Sequence, residues 1–419
     1  MKIPIWTIPI LQIVLLLSIT GNAISKVSKT PVLLSTIQLS GQYRYILQEI
    51  VNEFNETHSD IELSYRVDLN DDFHEKREAC LAEENCPVDI YLGFAGYSFE
   101  QNARKGKVES ISDLWQQEGF DLDFPHIKDS VSIEGKQFGL PISYYPWGFF
   151  YNKQVFESLD IRPPKTWQAF LEVCDTIKAA NITPILIGTK TPFPAASWFS
   201  YINLRLHGLP FHKNLTAGNI PYTDLRVGKT FQVWKGLIDK NYFNDDAHQL
   251  TYLDVMPYLY WKKGAMYLMG NIVISQIPET LKSNIGYFPF PVIDPTVPQY
   301  EEVPLDIFFI PKQSKHKAAA KTVLAFLSNP EVLDRYNLAA GYLSPNIKSK
   351  MNDVPFIEKT IQHLTSSAGF SYFFNRNSPP ELGRPGTKLL GRFISTPDIK
   401  STIQDFEKLR TTLVKVDNL

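Results

Sequence analysis

Cysteine is scarce, at three in 419 residues. That excludes a disulfide-dense scaffold, and no paired CxxC motifs are present to hold a structural zinc. Cys80 and Cys86 enclose a short polar loop, Leu81-Ala82-Glu83-Glu84-Asn85, which a disulfide is expected to close in an oxidising compartment. Cys174 falls within a helical pattern and reads as a buried free thiol. An excess charge of one sign is also missing. Lys plus Arg number 42 and Asp plus Glu 44, a net charge of −2. Nucleic-acid binding needs a concentrated basic face to displace counterions, and a polybasic membrane anchor needs a basic cluster. Neither class of partner is expected. HExxH, a phosphate loop ending in Lys-Ser/Thr and a GxSxG elbow are all absent, so no cofactor, metal or catalytic residue is assigned. The eight histidines are scattered, and His207 and His212 flank a Gly-Leu-Pro-Phe turn that reads as a surface loop.

Long apolar runs are absent but for one. Ile8 to Leu17 carries a single Gln, follows Lys2, and is succeeded by Gly21-Asn22-Ala23. A positive start, a short apolar stretch and small residues at −3 and −1 read as a secretory signal peptide (1–23) cut after Ala23. The run falls short of the ~20 residues that span a bilayer comfortably. The expected location is therefore the periplasm.

What the chain has in quantity is apolar and aromatic side chains: 44% hydrophobic, with 27 Phe, 20 Tyr and 7 Trp. Residues 32–37 read as a buried strand. Ile46, Leu47, Ile50, Val51 and Phe54 recur at helical spacing, and Ile61, Leu63, Tyr65 and Val67 alternate as in a strand. A polar, helix-prone stretch leads to the apolar Val88–Leu92. Strand–helix–strand–helix–strand predicts an α/β domain on a largely parallel sheet. A second such unit starts near residue 140, with a strand from Trp147 to Tyr151 and a helix capped by Thr166 through Phe170, Val173, Cys174 and Ile177. Residues 251–268 read as helical, Val303 to Pro311 as a strand, and Ile399 to Leu413 as a charged amphipathic helix.

Four stretches carry a resemblance. The first is Glu134-Gly-Lys-Gln-Phe-Gly-Leu-Pro141, then Tyr151-Asn152-Lys153, then Pro164-Lys-Thr-Trp167. The second is Trp261-Lys-Lys-Gly-Ala-Met266 with Met269-Gly270. The third is Tyr287-Phe-Pro-Phe-Pro291. The fourth runs from Lys317-Ala-Ala-Ala through Phe326-Leu327 and Pro330-Glu331 to Gly341-Tyr-Leu-Ser-Pro345. In order and spacing they resemble the sugar-binding extracellular solute-binding proteins of ABC importers, the family typified by maltose-binding protein, over about residues 32 to 415. The resemblance implies a two-lobed α/β periplasmic-binding-protein fold of type II, each lobe a mixed or mostly parallel sheet flanked by helices, with the ligand cleft between. It places residues 24–141 plus about 293–345 in the first lobe, and 142–292 plus about 346–419 in the second.

It also implies a site. A sugar ring offers an apolar face to aromatic side chains and a rim of hydroxyls to polar ones. Ser40, Gln42 and Tyr43 match the family's N-terminal ligand loop. Phe94 and Tyr97 follow a strand where relatives place contacts, Tyr145 and Trp147 lie in a hinge crossing, and Trp198 matches a cleft-facing aromatic. Asp306 is a lone carboxylate on an otherwise apolar strand, where a charge needs a partner or a ligand. Arg376 could add a late contact. Two residues past the matching Gly, relatives often carry a stacking Trp; here Asn271-Ile272 follow Gly270, so Asn271 can still hydrogen-bond but Ile272 cannot stack in the same way. That favours a mono- or disaccharide or small polyol over a long oligosaccharide. The expected function is a monomeric, non-enzymatic receptor that closes on a carbohydrate and delivers it to ABC permease subunits. A glycerol phosphodiester or other polyol is the rival ligand, and a secreted glycosidase the rival from another class.

Overall fold

The computed structural model describes Met1 and residues 28–416 apart from 38–40, 69, 84, 354–359 and 361–362. The expected signal peptide and Ser40 lie outside the described residues, as does the side chain of Gln42.

Two sheets organise the chain. The first has the order Ile61–Asp68, Thr30–Ile37, Ile90–Phe94, Leu305–Phe309, Leu140–Tyr144. Its first three strands are parallel, and Leu305–Phe309 runs antiparallel to both neighbours. The second has the order Ile285–Phe288, Trp147–Asn152, Gly264–Gly270, Thr183–Leu186, with only the last pair parallel. The alternation along Ile61–Asp68 buries Ile61 and Leu63 and exposes Glu62 and Ser64, as suits an outermost strand. Asn55 covers part of its open edge: its amide accepts from Leu63 N–H at 2.8 Å and donates to Leu63 C=O at 2.9 Å.

Local chemistry accounts for the helices that flank these sheets. The Thr166 hydroxyl accepts from Ala169 N–H at 3.3 Å and caps Trp167–Ala179. Phe170, Val173, Cys174 and Ile177 of that helix are buried, the i, i+3, i+4, i+7 face of an amphipathic helix. Residues 251–268 depart from expectation. The helix there is short, Met256–Tyr260, and Gly264–Gly270 is a strand buried along its whole length between two others. A continuous apolar run carries no period to separate the two readings. Lys262, at a φ of 59°, turns the chain between them. The region around His207 and His212 is not a surface loop but part of Phe193–Thr216, kinked at Gly208 with a φ of 77°. His212 is fully buried there, with Nδ1 3.2 Å from Asn203 Oδ1.

Each sheet anchors its own core. One core holds buried apolar residues from Val32 to Tyr144 and from Val303 to Tyr372; the other holds Trp147 to Phe290 and Phe374 to Phe406. The chain therefore passes between lobes three times, at 144–147, 290–303 and 372–374. The third passage is later than the sequence suggested, because Leu364 and Tyr372 pack on the first core. Among the described residues no helix is long and apolar enough to cross a membrane.

Candidate functional site

The three passages converge. Tyr145 lies in the first, Asp306 on the strand just after the second, and Arg376 just after the third. The Tyr145 hydroxyl donates to Asp306 Oδ1 at 3.1 Å, and Arg376 Nη1 donates to the same oxygen at 3.0 Å. Arg376 Nη2 also donates to the Tyr145 hydroxyl. Local backbone explains the meeting. Asp306 pairs with Phe94 on one side and Ser143 on the other, and the register with 140–144 shifts between Asp306 and Ile307. Such an irregularity re-aims a side chain. Gly96, at a φ of 129°, has no Cβ to overlap the Arg376 carbonyl, and Tyr97 N–H donates to that carbonyl at 2.7 Å.

Burial sets the electrostatics. Desolvation raises the Asp306 carboxyl, and Arg376 and Tyr145 oppose that rise. Desolvation likewise pushes the Tyr145 hydroxyl well up. Of the trio, only Arg376 keeps a modest exposure, 14% of its side chain, against 7% for Asp306.

Rings surround the charged pair. The Arg376 guanidinium stands 4.1 Å from the centre of the half-buried Phe94 ring, with Arg77 5.7 Å from it and the His74 ring 5.6 Å away. Burial and the neighbouring positive charges of Arg77, Arg384 and Arg376 push His74 down to about 3, so it stays neutral. Tyr342 stacks on Tyr145 at 4.8 Å. Phe373 meets Trp147 edge-on at 5.5 Å and lies 6.0 Å from Phe193, which in turn contacts Tyr252 at 5.2 Å. Phe94, Tyr342, Phe373, Phe193 and Tyr252 are all half-buried and come from both lobes and the third passage.

Two further expected residues sit deeper. Trp147 is fully buried; its carbonyl accepts from Tyr201 and Tyr287 hydroxyls at 2.9 and 3.1 Å. Asn271 N–H donates to Pro146 C=O at 3.1 Å, and its own amide is buried. Neither amide atom of Asn271, nor Trp147 Nε1, nor Ser143 Oγ has a hydrogen-bond partner among the described residues. Buried polar groups are nearly always paired, so these open donors and acceptors stand out.

A family model for bacterial extracellular solute-binding proteins matches residues 40–333. The chain belongs to that family. An uncharacterized ABC transporter extracellular-binding protein of Pyrococcus horikoshii is 24% identical over 75% of this chain and 72% of its own. The melibiose/raffinose/stachyose-binding protein of Bacillus subtilis is 22% identical over 82% of this chain and 88% of its own. Among solved structures, the bacterial solute receptor AcbH, described as having an exclusive substrate preference for β-D-galactopyranose, superposes with a TM-score of 0.81. It is 24% identical and covers 93% of this chain and 98% of its own. The two-lobed fold is thus that of a solute-binding protein.

Against the sequence expectations, the solute-binding protein gathers Phe94, Tyr97, Tyr145, Asp306 and Arg376 in one place, with Trp147 and Asn271 beneath. Two residues are corrected. Trp198 does not face the cleft: it is fully buried among Phe149, Phe243 and Phe290 in the second core. Its helix is buried on every side over Ala195–Ile202, Ser197 and Ser200 included, so spacing gave no outward face. Tyr43 is likewise inside the first lobe, its hydroxyl 3.0 Å from Thr36 Oγ1 and 2.7 Å from the Tyr336 hydroxyl. Tyr342, Phe373, Phe193, Tyr252 and His74 escaped the sequence reading. Tyr342 lies in the Gly341–Pro345 motif that carried the family resemblance, a signal that was available. Cys80 and Cys86 are bridged with Cα atoms 4.8 Å apart, and Cys174 is buried and free.

Proposed function

We propose that this solute-binding protein is a receptor for a carbohydrate, a mono- or disaccharide or short oligosaccharide, and hands it to the permease subunits of an ABC importer. The observation that carries the reading is the meeting of all three interlobe passages at Asp306, Tyr145 and Arg376 under half-buried rings from both lobes. Rotation of one lobe on the other acts directly at that point. Phe94, Tyr342, Phe373, Phe193 and Tyr252 would stack on sugar faces. Arg376 and Asp306, with the amide of Asn271, would serve the hydroxyls, and Tyr97 would line the rim. A buried hydroxyl left unpaired costs about 1–3 kcal/mol, so such a set selects one sugar geometry. The sugar specificities in the relatives' names support the same ligand class. Export through a cleaved signal peptide to the periplasm completes the reading.

A phosphodiester ligand is less favoured, because Arg376 is already paired with Asp306 and Arg77 with Glu78 at 3.1 Å. A glycosidase is disfavoured because Asp306 is held by two donors and no second carboxylate belongs to the trio. Titration with a saccharide panel, following tryptophan fluorescence and product formation together, tests the reading. Saturable binding without turnover is expected; turnover of any sugar would eliminate the receptor.

A further inference from the structure

The second passage contains two adjacent buried carboxylates, Glu301 and Glu302, on a short strand paired with Phe370–Ser371. They are treated very differently. Glu301 Oε1 accepts from Arg205 Nη2 at 2.6 Å and stands 3.0 Å from His363 Nε2, while its Oε2 lies 3.1 Å from the Tyr201 hydroxyl, whose one proton it shares with the Trp147 carbonyl. Arg205 and Tyr201 belong to the second lobe's helix Phe193–Thr216, and His363 neighbours Leu364 of the first core. Glu301 thus ties both lobes to the passage. Opposing charges from Arg205 and His363 hold its carboxyl below the usual range despite full burial.

Glu302 has no such support. Neither of its oxygens has a hydrogen-bond partner among the described residues. The Ser197 hydroxyl faces it from Phe193–Thr216, and the Tyr201 hydroxyl lies 3.4 Å from its backbone N–H. The charge beside it is Glu301, of the same sign, and the nearby Arg205 guanidinium is engaged by Glu301 and by the Phe290 and Tyr300 carbonyls. The Tyr287 hydroxyl on that side donates to the Trp147 carbonyl. A buried, unpaired carboxylate beside another carboxylate is stable only when protonated.

The geometry points to Glu302 as a proton-linked latch of the hinge: uncharged, it lets the second passage pack between the lobes; charged, it favours a state in which water reaches that passage and the lobes part. Burial and the Glu301 charge, opposed by the Ser197 hydroxyl, push its carboxyl up to about 8. The sign follows. The packed state keeps the proton up to about pH 8, whereas a hydrated glutamate releases it near its ordinary value of 4.5. Between those limits packing costs a proton held against the solution, so the closed-to-open ratio falls by up to about tenfold per pH unit. Below and above the window the ratio is flat.

Small-angle scattering of the purified ligand-free protein at pH 5 and pH 8.5 tests this, alongside Glu302→Gln and Glu302→Met. No saccharide is present, so the outcome is independent of the carbohydrate reading. The difference between wild type and variants isolates Glu302 from the histidines, His363 included. The radius of gyration of the wild type is expected to rise over that interval, and that of both variants to stay constant; Glu302→Met secures the comparison if Glu302→Gln folds poorly. An unchanged wild type, or a rise retained by a folded variant, would overturn the latch.

Discussion

Arg376 and Asp306, 70 positions apart in sequence, meet at 3.0 Å where the third passage between lobes crosses the strand that follows the second. One residue is the pivot's cation and the other its anion, and the Tyr145 hydroxyl of the first passage bridges them. The pair is therefore both a structural clamp and the polar centre of the proposed site.

Removing one partner separates those roles. In Arg376→Met the Asp306 carboxylate is left buried without a counter-charge, with only the Tyr145 hydroxyl still donating to it, a loss of about 3–5 kcal/mol. Adding Asp306→Asn in the same chain should return most of that stability, because no buried charge remains. Saccharide binding should stay lost in both. Urea unfolding and calorimetric titration of the two variants check this; a double variant that binds normally would take the pair out of the site.

Trp198 belongs to the second core, wedged among Phe149, Phe243 and Phe290. Trp198→Ala should cost about 3–5 kcal/mol in stability, with saccharide affinity changed less than about twofold at temperatures where the variant is folded. A variant with wild-type melting and weakened binding would return Trp198 to the cleft.

Phe94 and Tyr342 should behave in the opposite way. Both rings are half-buried around the charged pair. Phe94→Ala and Tyr342→Ala are each expected to weaken saccharide binding about tenfold, or ~1.4 kcal/mol, with a melting-point loss smaller than that of Trp198→Ala. Equal affinity for wild type and both variants would show that these rings do not stack on the ligand.

Acid stability is set in part by His212. Burial pushes its imidazole down from 6.5 to about 3, so the folded chain binds fewer protons there than the unfolded chain. Its contribution is complete above about pH 6.5 and is lost as pH falls towards 3. His212→Gln, which keeps a partner for Asn203, should lose less stability than wild type between pH 7 and pH 4.5. Urea midpoints at the two values measure it, and equal losses would contradict the assignment.

Thiol chemistry gives a simple check of the loop that ends helix Asn70–Ala82. Cys80 and Cys86 should resist alkylation in the native protein until reduced, and Cys174, fully buried with its thiol pushed up by burial, should react only on unfolding. Labelling of Cys80 or Cys86 without reductant would refute the bridge.

Much of this was legible in the residues themselves, for identifiable reasons. Asp306 stood out as one charge in an apolar strand, and Tyr145 lay inside a motif with fixed spacing, whereas Arg376 carried no motif and was expected only as a late contact. Thr166 announced its helix by capping chemistry. What stayed hidden depended on tertiary context. Gly264–Gly270 is apolar throughout and Ala195–Ile202 is buried throughout, its two serines included, so neither strand against helix nor inward against outward is encoded in their period. That ambiguity hid the burial of Trp198. Phe193, Tyr252 and Phe373 become neighbours only because separate segments converge at the passages, a fact of topology rather than of local pattern. The contrast between Glu301 and Glu302 is also invisible in sequence, since two identical side chains differ only in which of them Arg205, His363 and Tyr201 reach.

The central claim is that a saccharide is gripped where the three passages meet. Calorimetric titration of wild type and of the Arg376→Met/Asp306→Asn variant with a panel of mono-, di- and trisaccharides tests it most directly. The account predicts one-to-one binding of at least one saccharide to wild type, and its loss in the variant despite a preserved fold. Binding that survives in the variant, or heats absent for the whole panel, would contradict it.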